Sequence, residues 1–288
     1  MKMPAKATGS NRTLFKRYNI SLKKACLILF PALLLCAASE SVSAQSTPAK
    51  VDVPDWALPG SATHKQVPPP VDFHRAPRTD YTPIGIFTGQ TDVGAALVAG
   101  SSSYDPATKQ YTIISAGYNV WYTRDEFRYL WVKMSGDVSL AADIKFPDST
   151  GYSDRKALLF IRQSLDDDSK EAMVALHGGG LLHLAWRPEK GQEIKEMRVD
   201  VQSLVGGNAS AGQALAHAKR IGIEKRGDDF AIFVSMTGEP MHQYGAPVHL
   251  HIDGPFFVGI GFCSHKPDEV STGILSNVVL ENAAGKVQ

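Results

Sequence analysis

From residue 84 to the C-terminus, short apolar, β-branched and aromatic runs alternate with clusters of Gly, Asp, Asn and Pro. That pattern predicts strands joined by turns. The runs place strands at 85–87, 111–115, 127–133, 138–146, 156–163, 172–177, 181–187, 219–226, 229–236, 248–252, 256–263 and 273–281. Turn clusters such as Asp105-Pro106, Gly178-Gly179-Gly180 and Asp253-Gly254-Pro255 separate them. Within 138–146, Val138, Leu140, Ala142, Ile144 and Phe146 share one face. Within 256–263, one face carries Phe256, Val258, Ile260 and Phe262, the other Phe257, Gly259, Gly261 and Cys263. Two glycines on one strand face leave room for a ligand to approach the backbone. Only 208–219 reads as helix, as an insertion in a loop. No repeat of 20–50 residues is present, which argues against a propeller within this chain. The expected fold is all-β, two antiparallel sheets packed as a jelly-roll sandwich with ligand bound in the groove of a concave sheet.

Upstream of residue 84 the texture changes twice. Residues 45–83 carry eight prolines, which fix φ and remove donors, so a linker or extended surface arm is expected. Residues 2–24 are basic, and an apolar run of 14 residues, 25–38, follows. That run is too short to span a membrane and has the length of a secretory signal core. Val42-Ser43-Ala44 supplies a small-residue cleavage site. The expectation is export to the periplasm or beyond, with cleavage after Ala44 and no membrane span afterwards. Cleavage removes Cys26 and Cys36, so Cys263 is left without a disulfide partner.

The formal net charge of +1 changes meaning once that segment is set aside. Residues 45–288 hold 23 basic and 28 acidic residues, a net charge of −5. Such a balance does not suit nucleic acid or an anionic membrane surface. With 43% hydrophobic residues the chain can bury a sizeable core.

Several phrases recur in a familiar order: Thr91-Asp-Val-Gly94, Gly117-Tyr-Asn-Val-Trp121, Met134-Ser-Gly-Asp-Val-Ser-Leu140, Arg155-Lys-Ala157, Ile161-Arg-Gln-Ser-Leu-Asp166, Ala175-Leu-His-Gly178, and Gly254-Pro-Phe-Phe-Val-Gly-Ile-Gly261 with Ser264-His265. Together they resemble the secreted bacterial concanavalin A-like lectin/glucanase jelly-roll domains over about residues 84–282. In some bacterial proteins such a domain precedes a TolB-like β-propeller. Gln288 ends this chain before any propeller, so a propeller-dependent role is not expected. The resemblance implies a fold shared by lectins, polysaccharide hydrolases and lyases.

A retaining glucanase of this type uses paired acids on one strand, spaced Glu-x-Asp-x-x-Glu or Glu-x-Asp-x-Glu, to hold two carboxylates about 5–5.5 Å apart. No such motif occurs. The aromatic and polar positions instead suggest a sugar-binding groove of Trp121, Tyr129, Trp131, Arg162, Gln163, His177, Trp186 and His265. Rings stack on sugar CH faces, and the polar groups take the hydroxyls. Arg162 has a second reading as a buried ion-pair partner. Asp166-Asp-Asp168 is expected at a solvated hairpin tip, with calcium as the sharper alternative for Asp166 and Asp168. His249 and His251 share a strand face at a spacing that also suits zinc. Otherwise no cofactor is called for. Three functions remain open: a carbohydrate-binding module, a glycan hydrolase or lyase working through His and Arg, and an envelope protein-interaction module.

Overall fold

The structure is a computed structural model and describes residues 73–204 and 218–287. The predicted signal, most of the arm and nearly all of the predicted 208–219 helix lie outside the described residues.

In chain order the strands begin with β1 (Arg78–Asp80), β2 (Gly89–Val93), β3 (Ser101–Asp105), β4 (Gln110–Gly117), β5 (Val120–Trp121) and β6 (Arg124–Asp125). They continue with β7 (Phe127–Met134), β8 (Val138–Lys145), β9 (Lys156–Arg162), β10 (Glu171–His177), β11 (Leu182–Arg187) and β12 (Lys195–Val199). A single helical turn, α1 (Val201–Leu204), precedes β13 (Arg220–Arg226), β14 (Asp229–Ser235), β15 (His242–His249), β16 (Phe256–Cys263) and β17 (Lys266–Glu281). One sheet has eight strands in the order β1-β2-β7-β16-β9-β10-β11-β12, the other seven in the order β15-β14-β13-β8-β17-β4-β3. Every pairing is antiparallel. Two large antiparallel sheets packed face to face make this the expected jelly-roll sandwich.

The main core lies between the sheets, because period-two alternation points one face of each strand inward. Leu140 and Ile223 meet Leu159, Val174 and Ile260 there, all fully buried. Each such side chain contributes about 1.5–3 kcal/mol on burial. The two apolar stripes read from the sequence both belong to this layer. A second buried layer covers the opposite, outer face of the eight-stranded sheet. It contains Phe127, Tyr129, Trp131, Leu158, Phe160 and Met173. Val120 of the small β5–β6 ribbon, with Leu165 and Ile194 from loops, packs onto it. Strands β9 and β10 are therefore buried along their whole length.

The sheet begins earlier than expected. β1 lies within the predicted arm and pairs with β2, Thr79 opposite Thr91. Three of the six unforeseen strands are edges, β1 and β12 bordering one sheet and β3 the other; the remaining three are β2, inside the eight-stranded sheet, and the β5–β6 ribbon. Edge strands are short and polar, which protects them from pairing with other chains and erases their apolar signal. β15, the fourth edge, runs through Gly245 and Pro247 and ends at His249 rather than spanning 248–252.

Candidate functional site

The registers of β16, β9, β10 and β11 arrange the outer face in rows. At one end Phe257, Arg162, Glu171 and Arg187 stand side by side. Next come Gly259, Phe160, Met173 and Ala185, then Gly261, Leu158, Ala175 and His183. At the other end Cys263, Lys156 and His177 form the last row.

The Arg162 end is closed. Arg162 and Arg187 have no exposed surface, and neither have Asp125 and Glu171. Arg162 Nη1 donates to Asp125 Oδ2 at 2.8 Å and to Glu171. Arg187 donates to both Asp125 oxygens, at 2.8 and 2.9 Å, and lies 3.1 Å from Glu171. Burial pushes the Asp125 carboxyl up, but Arg187 and Arg162 outweigh it and hold its pKa below the usual range. Burial pushes Glu171 up to about 8, against the pull of Arg162. Two guanidiniums face two carboxyl groups, with only Glu171 Oε1, 3.1 Å from Arg187, lacking a hydrogen bond among the described residues, and the four side chains have no exposed surface.

The middle of the face is filled. The Phe127 and Phe160 rings stack at 4.7 Å, and Tyr129 meets Phe160 edge-on at 5.7 Å. Trp131 Nε1 donates to Thr91 Oγ1 at 2.8 Å. The room expected beside the β16 glycines is occupied. A Cβ on Gly261 would come 2.9 Å from the Phe127 ring, and one on Gly259 would strike the Leu130 carbonyl. These glycines let β7 and its aromatics close onto the strand and leave no channel for a ligand.

The Lys156 end is different. A slot of about 60 Å³ opens there. Lys156, His177, His183, His265 and Asn119 line it and are buried. Trp121, Asp154, Leu181, Glu196 and Arg198 also line it and keep some exposure. The Trp121 indole stacks flat on the His183 ring, with centroids 5.4 Å apart. His183 Nδ1 bonds Glu196 at 2.7 Å, while its Nε2 has no hydrogen-bond partner among the described residues. Neither ring nitrogen of His177 makes a hydrogen bond among the described residues, and Asp154 faces Nδ1 at 3.5 Å, where each favours the other's charged form. Burial, reinforced by Lys156, pushes the His177 pKa down to about 3, and burial lowers that of His183. The Lys156 ammonium donates to Asn119 Oδ1, and burial lowers its pKa. His265, with φ of +66°, stacks on Tyr152 at 4.7 Å. Cys263 beneath is fully buried, and burial pushes its thiol up to about 11.

Of the eight residues expected to line a groove, the structure gathers Trp121, His177 and His265 at this slot. The others lie elsewhere. Tyr129 and Trp131 are buried in the outer aromatic layer. Arg162 belongs to the closed ion network and cannot reach solvent. Trp186 packs against the core between the sheets, because its parity on β11 opposes that of His183 and Arg187. Gln163 lies beyond the end of β9 and pins the 253 loop through two reciprocal 2.8 Å bonds with the Asp253 backbone. Lys156, His183, Asn119 and Glu196 were not foreseen as site residues. One signal for Lys156 was readable: a lysine beginning the apolar strand Ala-Leu-Leu-Phe-Ile, in phase with Leu158 and Phe160.

The metal candidates resolve into ion pairs. Asp167 and Asp168 are buried, not solvated as expected, because the turn folds against the incoming arm. His74 bonds Asp167 at 2.8 Å, and Lys190 reaches Asp166 at 2.6 Å and Asp168 at 3.4 Å. Donor atoms of His74, Asp167 and Asp168 lie within 4.8 Å of one another. Lys190 already supplies positive charge to that cluster. His249 pairs with Asp229, while His251 bridges Asp228 and Asp253, all at the surface. The two imidazoles thus engage separate carboxylates.

No family model matches this sequence, and a comparison with curated proteins finds no match. Solved structures of similar shape exist at low identity. The xylan β-1,4-xylosidase of Bacillus halodurans C-125 aligns at TM-score 0.46 and 9% identity, over 73% of this chain and 40% of that one. The alginate lyase of Klebsiella pneumoniae aligns at 0.39 and 11%, over 64% and 85%. Lectin I-B4 of Griffonia simplicifolia aligns at 0.38 and 10%, over 63% and 90%.

Proposed function

We propose that the protein is an exported carbohydrate-binding β-sandwich whose ligand seats at the Lys156–His177 end of the outer face. The observation that carries the reading is a set of buried polar groups without partners beneath an indole. Burying such groups costs about 1–3 kcal/mol each unless something hydrogen-bonds to them. At the other end of the same face both guanidiniums have a carboxylate oxygen at 2.8 Å, whereas Lys156 has no carboxylate in contact among the described residues. A sugar complements both parts, CH groups against Trp121 and hydroxyls toward the imidazoles. The slot is far smaller than the roughly 300–1,000 Å³ of a pocket that engulfs a small molecule. It admits a ring substituent while the ring stays at the mouth. Export rests on the basic, then apolar, N-terminal segment.

A second reading comes from His183. With Nδ1 donating to Glu196, its Nε2 is the acceptor, and an oriented imidazole of this kind can act as a general base. The protein would then process a glycan without a carboxylate pair. A glycan array probed with the purified protein, with mass spectrometry of the retained material, tests both. Binding predicts an intact glycan, retained by the natural protein and lost with Trp121→Ala at a nearly unchanged melting temperature. Cleaved products would assign the protein to the enzymes. Absence of both retention and products would overturn the carbohydrate reading in favour of a protein partner.

A further inference from the structure

We propose that the slot takes the carboxylate of an acidic sugar, with the Lys156 ammonium as counter-ion and a His177 N–H as second donor. This rests on reading the open end as a carbohydrate site and names the class of sugar. The argument begins with charge. Lys156 has 2% of its surface exposed and, among the described residues, one hydrogen-bond partner, the neutral amide oxygen of Asn119. Asp154 and Glu196 line the same slot, but no carboxylate among the described residues is in contact with this ammonium, and a buried ammonium without a contacting anion is costly. On the same face Arg162 and Arg187 each meet two carboxylates, whereas the buried Lys225 and Arg155 elsewhere rest on backbone carbonyls and aromatic rings. Lys156 retains two N–H donors beyond the one given to Asn119.

Donor count selects the ligand. Neutral His177 has one N–H and one acceptor nitrogen; Nδ1 faces Asp154 at 3.5 Å, and neither nitrogen makes a hydrogen bond among the described residues. His183 offers only an acceptor, since Nδ1 donates to Glu196. Besides the Glu196 carboxylate, taken up by His183, and the Asp154 carboxylate beside His177, the slot supplies donors from Lys156 and His177 and acceptor nitrogens on His177 and His183. A carboxylate on the ring takes the donors, and a neighbouring hydroxyl directed at His183 Nε2 takes that acceptor. A neutral hydroxymethyl group in the same place would leave the ammonium uncompensated. About 60 Å³ suits a group of a few heavy atoms and holds the ring against Trp121 and Leu181.

The test compares matched sugars on the purified protein: glucuronate and galacturonate oligomers, their neutral glucose and galactose counterparts, and a sulfated glucan. Affinity is read by calorimetry, and the ring C–H resonances of His177 and His183 by NMR. The expected result is at least tenfold tighter binding of the uronates, with both histidine signals shifting. Lys156→Met should abolish the preference, keep residual neutral binding, and leave the unfolding midpoint unchanged or higher, since an unpaired buried charge is removed. Equal affinity for neutral sugars, or a preference that survives Lys156→Met, overturns the inference while leaving the carbohydrate reading standing. Preference for the sulfated glucan overturns the carboxylate assignment in favour of a sulfate ester. Binding of none of them overturns the carbohydrate reading itself.

Discussion

Both ends of the outer face bury charge, but only one matches it. Around Arg162 and Arg187, two carboxyl groups and two guanidiniums pair with one another with no exposed surface, and only one Glu171 oxygen lacks a hydrogen bond among the described residues. Around Lys156 and His177, the same sheet buries an ammonium and two imidazoles that the chain leaves partly unsatisfied. Chemically the Arg162 end looks richer, with Arg162, Glu171 and Arg187 on adjacent strands and Asp125 brought to them by the β5–β6 ribbon. Satisfaction separates them: a complete network fastens the 118–126 and 163–170 loops to the sheet, whereas an incomplete one beside a slot is equipped for a ligand.

The comparison can be broken experimentally. The largest effect is expected at the closed end. Asp125→Ala leaves Arg162 and Arg187 each without a main partner and should cost about 3–5 kcal/mol, measured by urea unfolding. A loss under about 1 kcal/mol would mean that the network does not hold the loops.

A smaller effect is expected from acid at the open end. His177 has an ordinary pKa of 6.5 and is held near about 3 by burial when folded. The unfolded chain therefore takes up that proton first. Stability from this group is fully present above pH 6.5 and falls as the pH drops toward 3, by about 1.4 kcal/mol per unit. Between pH 6.5 and 4.5 the loss is roughly 2–3 kcal/mol, and His177→Phe should remove about one proton from the slope of stability against pH. An unchanged slope would show that His177 is not buried as a neutral ring.

The smallest effect concerns the middle of the face. Gly261→Ala puts a methyl against the Phe127 ring and should destabilise by about 1–3 kcal/mol in the same urea assay. A neutral result would mean that the aromatic layer can part, restoring the channel expected beside the β16 glycines.

Much of the fold was legible because the core strands carry their own signal. Alternation in 138–146 and 256–263 identified inward faces, since a strand buried against another sheet must place apolar groups every second residue. Edge strands such as Ser101–Asp105 and Lys195–Val199 gave no such signal, being polar by necessity. Trp121, His177 and His265 were readable as polar and aromatic positions of the right kind. Arg162, Trp131 and Tyr129 looked equally suitable and proved to be interior. Residue type does not say whether a ring faces a ligand or another ring.

By itself, the sequence determined the all-β class, the inward stripes, the absence of a paired-acid motif and a short repertoire of residues able to meet a sugar. These depend on local periodicity and composition. Tertiary structure alone decided which end of the outer face closes and which stays open. Strand register sets Lys156 beside His177 and Arg162 beside Glu171, and the β5–β6 ribbon brings Asp125 to one end and Trp121 to the other. Each end combines neighbours across the β9–β10 hairpin with residues as far apart as Asp125 and Arg187, 62 positions along the chain. Whether a buried charge finds its partner is a property of the assembled sheet rather than of any segment.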